Sequence, residues 1–344
     1  MDKAAFYQSH LNRVSRSFAL CIAQLHGPLR ERVALSYILC RLIDTIEDSN
    51  WPTSFSQLEA FRCFNQFLEV QPTENEVQKW VSMFPKSIPQ GEQDLLDEAF
   101  IFFGDFHTLD AKPKLILYRS LMNMSRGMLH FTQNHSANGQ LTLTSLQETN
   151  QYCFFVAGVV GELLTEVFAL ENSAYVPGAD QLEKAVHFGL FLQKVNLLKD
   201  QMDDCEAGRF LVFDRDVLRG SLLLHAENAF RYLLSIPMER TDFRVFCAWS
   251  LFLGLKSMPY IDRSWAEKKR IKISRLEAFN YLSQVQRHVG DEQWLKDQFS
   301  KSAGALQGTA VPFPMTQAPW LVGTYQGALS STQLASLAII PHNP

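Results

Sequence analysis

Apolar residues recur at three- and four-residue spacing in segment after segment of this 344-residue chain, while period-two alternation is hard to find. That periodicity predicts an all-α protein, with helices over 11–25, 28–49, 54–69, 74–84, 91–109, 111–134, 145–170, 178–207, 221–237, 242–262 and 274–306. Punctuation agrees. Gly27-Pro28 separates the first two helices, and Pro28 suits a first turn, where its missing N–H costs nothing. Asn50-Trp51-Pro52 ends the second. Pro177-Gly178 opens the helix that begins near Ala179, and Gly208 suits the C′ position that closes it. From about Gln307 the character changes: Gly308, Pro312, Pro314, Pro319, Gly323 and Gly327 interrupt any helix. One helical domain over 1–306, a single bundle, and an irregular tail over 307–344 are therefore expected.

At 47% hydrophobic residues the chain can bury a large core. A net charge of −4 and a pI near 6.2 leave no basic footprint, which sets nucleic acid aside as a partner. The six cysteines (Cys21, Cys40, Cys63, Cys153, Cys205, Cys247) form no C-x-x-C pair, so reduced thiols and a cytoplasmic location are expected. Met1–His10 is polar and lacks the apolar region of a secretory signal. The most apolar stretches, Tyr152–Leu164 and Val245–Leu255, fall short of the roughly 20 residues of a spanning helix. The expectation is a monomer with no transmembrane segment and at most peripheral contact with a membrane.

Two acidic clusters interrupt the apolar pattern. Asp44, Glu47 and Asp48 end a greasy helix, and the spacing places Tyr37 and Arg41 on the same face. In the second cluster Gln193, Asn196, Asp200, Asp203 and Asp204 share one stripe, flanked by Lys199 and Arg209. A lone cluster of this kind is ordinarily a solvated helix end. Like charges at i,i+4 nevertheless cost a few tenths of a kcal/mol, and the C-terminal half of a helix makes negative charge worse. Two such stripes, each with basic residues alongside, suggest a cation and an anion held between them. Carboxylates suit Mg²⁺, which shares its shell with substrate phosphates, while Arg and Lys suit the outer oxygens of a diphosphate.

The residues then become specific. Ser15-Arg16-Ser17-Phe18, Tyr37-x-x-x-Arg41-x-x-Asp44-Thr45-Ile46-Glu47-Asp48, Tyr152-Cys153-Phe154-Phe155-Val156-Ala157-Gly158-Val159-Val160-Gly161, and Gln193-x-x-Asn196-x-x-x-Asp200-x-x-Asp203-Asp204 with Gly208-Arg209 follow in order. Together they resemble the motifs of the squalene and phytoene synthase family, and D-T-I-E-D resembles its squalene branch. The resemblance covers Ser15 to Arg209, continues more weakly to about Arg275, and leaves the tail unmatched.

The resemblance implies the isoprenoid synthase fold, a helical bundle around a deep cavity. It implies Mg²⁺-dependent head-to-head condensation of two farnesyl diphosphates through presqualene diphosphate, then reduction to squalene by NADPH. Asp44, Glu47, Asp48, Asp200, Asp203 and Asp204 would hold metal. Arg16, Arg41, Gln193, Asn196, Lys199 and Arg209 would bind substrate. Tyr152, and after it Tyr37, would handle a proton or stabilise the cation. Lys272 and Arg275, in the basic run 268–275, resemble a segment that binds NADPH in the squalene branch. Asp203 replaces a more usual Glu, and Lys199 a more usual Arg; neither change removes a charge. Dehydrosqualene, presqualene diphosphate or phytoene as product remain open, as does a non-enzymatic assembly factor, which intact acidic motifs argue against. Most of the 26 phenylalanines are expected in plain core.

Overall fold

The computed structural model of the chain describes residues 2–134, 136–137, 140–172 and 175–306; the expected tail over 307–344 lies outside them. Helix α1 (Lys3–Val14) is N-capped by Asp2, whose carboxylate accepts from the Ala4 and Ala5 N–H groups. It stops at Ser15, whose backbone is extended and whose hydroxyl caps α2 (Arg16–Ile22) by accepting from Phe18 N–H. The helix expected over 11–25 is therefore two, because a serine side chain offers the backbone an alternative to the helical bond. Next come α3 (Gly27–Asp48), with Pro28 in its first turn, and α4 (Ser54–Glu69), capped by Thr53. Thr73 and Glu76 form a capping box on α5 (Glu74–Ser82). The span expected as one helix over 91–109 divides at Glu98 into α6 (Gln90–Asp97) and α7 (Ala99–His107).

Beyond α8 (Ala111–Asn134) a two-residue antiparallel pairing joins β1 (Ser136–Ala137) to β2 (Gln140–Leu141). Helix α9 (Leu146–Cys153) passes through a π turn at Phe154–Gly158 into α10 (Val159–Leu170). Then follow α11 (Ala179–Glu206), α12 (Arg215–Gly220), α13 (Leu222–Ser235) and α14 (Thr241–Glu267). Helix α12 has too few turns to carry a periodic signal and was not expected. The last expected helix, 274–306, is interrupted after Arg287: α15 (Arg275–Arg287) ends, and Asp291 caps α16 (Glu292–Ala303) by accepting from Trp294 N–H.

Helices α3 and α11 run through the middle. Helix α3 buries Val33, Leu35, Ile38, Leu39, Leu42, Ile43 and Ile46 and packs on α1, α8 and α10. Helix α11 packs on α10, the π turn, α13 and α14. The rod Leu146–Leu170 is 25 residues long, so the expectation that this stretch is too short to span a membrane fails on length. More than half of its most apolar window is buried in the bundle, as a core helix would be.

Helices α10 and α11 touch backbone to backbone. A Cβ on Gly161 would fall on the carbonyl oxygen of Ala185, and one on Gly189 would fall on the carbonyl oxygen of Ala157. On another face of α11, the fully buried Lys194 ammonium donates to Ser221 Oγ and lies within hydrogen-bond distance of His225 Nε2, both at 2.8 Å. His225 Nδ1 meets His187 Nδ1 at 2.7 Å. If Lys194 donates to Nε2, His225 carries its own proton on Nδ1 and donates to His187. The chain of bonds fastens α11 to α13. Burial pushes the Lys194 ammonium down to about 7 and the His187 imidazole down to about 3.

Gly161→Ala should destabilise the protein by about 3 kcal/mol or prevent folding, because the methyl group meets main chain rather than a movable side chain; the urea midpoint reads this. Lys194 binds its proton less tightly when folded than when unfolded, so unfolding takes up a proton between about pH 7 and the ordinary lysine value of about 10.4, and stability should rise with pH across that window. Urea midpoints at pH 7, 8 and 9 should climb less steeply for Lys194→Met than for the unaltered protein.

Candidate active site

Helices α3 and α11 bring both acidic motifs to the walls of one cavity of about 630 Å³. Asp44, Glu47 and Asp48 line it from α3, and Gln193, Asn196, Lys199, Asp200, Asp203 and Asp204 from α11. Tyr37, Arg41, Tyr152 and Arg209 complete the polar end. The rest of the lining is largely apolar and includes Phe188, Leu192, Tyr232, Phe243, Phe246, Cys247 and Ser250. The break at Ser15 turns Ser15, Ser17 and Phe18 towards the same space, and the Phe18 ring leans on Tyr37 at 5.6 Å.

One arginine ties the two motifs together. Its Nη1 pairs with Asp48 of α3, and its Nη2 donates to Asp204 Oδ1 of α11 at 2.6 Å: this is Arg209. The local reason is Gly208, whose positive φ of 78° ends α11 and turns the next residue back over the helix, where Arg209 N–H donates to the Asp204 carbonyl. Arg41 lies 3.7 Å from Asp44 and donates to Glu92 at 2.5 Å. Lys199 pairs with Asp200 at 3.0 Å and donates to Asn196 at 3.2 Å. Tyr152 donates its hydroxyl proton to Glu47 at 2.9 Å, with the Phe131 ring edge-on at 5.5 Å.

Burial dominates the electrostatics. It pushes the Asp44 carboxyl up to about 7 and the Glu47 carboxyl well above the carboxylate range, with Asp48 adding repulsion at Glu47. Burial followed by the Glu47 charge raises the Tyr152 phenol, which is therefore a neutral hydroxyl. Burial, with a smaller push from Asp44, raises the Tyr37 phenol to about 12 against the pull of Arg41. Buried polar atoms at the same end lack partners: Asp44 Oδ1, Glu47 Oε1, Arg41 Nε and Arg209 Nε. Such atoms carry a desolvation cost until a ligand meets them. Orphaned carboxylate oxygens beside orphaned guanidinium N–H groups fit a cation bound together with an anion. Among the described residues, no three acidic, His or Cys side chains form a ready metal cage.

Not every expected residue is brought here. The Arg16 side chain lies outside the described ones. Lys272 and Arg275 are exposed and do not line the cavity; within their basic run it is Arg270 that pairs with a lining residue, Asp203. Sequence reasoning missed Arg270 and Glu92, since neither belongs to a helical stripe with the motif it touches.

These helices and their cavity are those of the isoprenoid synthase fold. Two solved structures of TcSQS, in complex with the ligands BPH1237 and E5700, superpose with TM-scores of 0.72 at 19% and 18% identity, covering 94% and 98% of this chain and 97% and 99% of theirs. The squalene/phytoene synthase family model matches residues 11–235, and the chain belongs to that family. Squalene synthase of Mycosarcoma maydis is 33% identical over 201 residues, 58% of this chain and 33% of that protein. Squalene synthase of Homo sapiens is 30% identical over 200 residues, 58% of this chain and 44% of that protein. The matched stretch thus spans a third to less than half of these curated relatives.

Arg209→Ala leaves Asp48 and Asp204 facing each other without a counter-charge. The site is half open to solvent, so the loss should be about 1–2 kcal/mol rather than the 3–5 kcal/mol of a fully buried pair. Thermal unfolding should show it, and Mg²⁺ with inorganic diphosphate should raise the midpoint of the unaltered protein more than that of the variant.

Proposed function

We propose that this chain is a squalene synthase that condenses two farnesyl diphosphates head to head. The observation that carries the reading is two carboxylate stripes joined by Arg209 at the polar end of a deep apolar cavity. Asp44, Glu47 and Asp48, with Asp200, Asp203 and Asp204, would hold Mg²⁺, which when bound supplies the positive charge that makes diphosphate a better leaving group. Arg41, Arg209 and Lys199 would grip the outer diphosphate oxygens, with Gln193 and Asn196 beside them; Arg16 is assigned the same role from its motif alone.

The C–O bond of one farnesyl diphosphate breaks, and the double bond of the second attacks the allylic cation. Loss of a proton closes the cyclopropane of presqualene diphosphate. Phe188, Phe243 and Phe246 exclude water and offer π faces to the cation. Tyr152, a neutral hydroxyl bonded to Glu47, is the group we assign to proton handling, with the departing diphosphate as the final acceptor of the proton; Tyr37 is the second candidate. Loss of the second diphosphate and hydride from NADPH then give squalene and NADP⁺. The basic segment 268–275, with Lys272 and Arg275 exposed, is the cationic surface offered to the cofactor phosphates. We take the enzyme to be a cytoplasmic monomer in peripheral contact with a membrane, since its product is insoluble in water.

One observation favours a product short of reduction: Lys272 and Arg275 stand off the cavity. Incubation with farnesyl diphosphate, Mg²⁺ and NADPH, followed by mass analysis of the extract, decides. Squalene that appears only with NADPH supports the full reaction. Presqualene diphosphate or dehydrosqualene regardless of NADPH removes the reductive half, and phytoene from geranylgeranyl diphosphate corrects the substrate. Tyr152→Phe should lower kcat about 100-fold or more with KM little changed.

A further inference from the structure

Helix α15 is amphipathic in an unusual sense: both of its faces carry apolar residues. Leu282 and Val285 are buried, and Glu277 bonds to Tyr260 and Lys256 of α14, which fixes the inner face. On the opposite face Leu276 and Phe279, one helical turn apart, are 70% and 67% exposed. Among the described residues, no other helix exposes two large apolar side chains one turn apart. Immediately before them the chain reads Lys268-Lys269-Arg270-Ile271-Lys272-Ile273-Ser274-Arg275, five cations in eight residues. Lys268 adopts a left-handed conformation at the end of α14 with its ammonium over the Trp265 ring, and Arg270 reaches Asp203 at the cavity mouth. Arg270 thus sets the basic run against Asp203 of the cavity lining, and the apolar pair follows it directly in the chain.

We propose that the N-terminal turn of α15, with Leu276 and Phe279, inserts into the headgroup region of an anionic bilayer while the preceding basic run lies on its phosphates. A nucleotide would use the cations but has no use for two exposed apolar side chains. A neutral surface would use the apolar pair but not the cations. Apolar side chains flanked by Lys and Arg match the interfacial mode of membrane binding, in which area and charge both contribute. The competing occupant is the segment 307–344, which contains no Asp, Glu, Lys or Arg and so leaves the basic run without a counter-charge. The inference extends the membrane contact proposed above by naming the surface and the lipid charge, and it does not depend on which product is made.

Co-sedimentation of the full chain with phosphatidylcholine vesicles, and with vesicles of equal parts phosphatidylcholine and phosphatidylglycerol, tests it without substrate. Binding should be confined largely to the anionic vesicles and should fall as salt rises. Lys269→Glu should weaken it about 25-fold, since each charge near such a surface is worth about fivefold and the substitution removes a cation and adds a repelled anion. Leu276→Ser with Phe279→Ser should weaken it about tenfold or more. Neither Leu276 nor Phe279 lies in the cavity lining or in the basic run, so the double variant should keep its unfolding midpoint and its turnover of farnesyl diphosphate in detergent. Equal binding to both vesicles, or anionic binding indifferent to these substitutions, overturns the proposal. So does a double variant that alters only protease cleavage within 307–344, which would assign the apolar pair to the tail. Failure of vesicle binding with turnover intact separates this inference from the proposed function.

Discussion

Like charges gathered at the mouth of an apolar cavity push their helices apart, and the bundle has to oppose that force where it is greatest. Arg209 does so by bonding to α3 and α11 at once, through Asp48 and Asp204. The same residue leaves Nε without a partner, as Asp44 and Glu47 each leave an oxygen. The resting site is thus closed enough to hold its shape and unsatisfied enough to favour a ligand that brings both signs of charge. A diphosphate with Mg²⁺ is such a ligand, and its arrival would relieve several buried costs together.

Precision at that mouth depends on contacts of α11 away from its acidic stripe. Gly161 and Gly189 bring α10 and α11 into main-chain contact, so the position of the second acidic motif is set by backbone rather than by side chains that can change rotamer. The chain from Ser221 through Lys194 and His225 to His187 fastens another face of α11 to α13. Geometry of this kind, a polar stripe on a helix locked by its neighbours, suits chemistry in which a cation must be held away from water.

Much of this was legible in the sequence because helices convert spacing into position. Tyr37, Arg41, Asp44, Glu47 and Asp48 read as one stripe and line one wall; Gln193, Asn196, Asp200, Asp203 and Asp204 read as another and line a second. Gly208 could be assigned to a helix end, though not the swing of Arg209 that follows from its φ. What escaped was of two kinds. Breaks at Ser15, Glu98 and after Arg287 interrupt stretches whose apolar spacing barely changes, so periodicity runs straight through them. Partners such as Glu92 for Arg41 and Arg270 for Asp203 come from distant segments and are decided by packing. Within the basic run, the ion pair that Arg270 makes with Asp203 is of this second kind, and spacing along the run gives no sign of it.

The π turn at Phe154–Gly158 has a consequence for which changes the rod α9–α10 can absorb. A π turn holds one residue more than the regular helix around it, and each residue rotates what precedes it by about 100°. With that residue present, Tyr152 before the turn meets Glu47, and Gly161 after it meets Ala185. Removing any one residue from the turn would relax it to an ordinary helix and swing one of these two away from its partner. The length of the turn is therefore under constraint beyond the packing of its buried residues Phe154, Phe155 and Gly158, and related chains should keep its residue count.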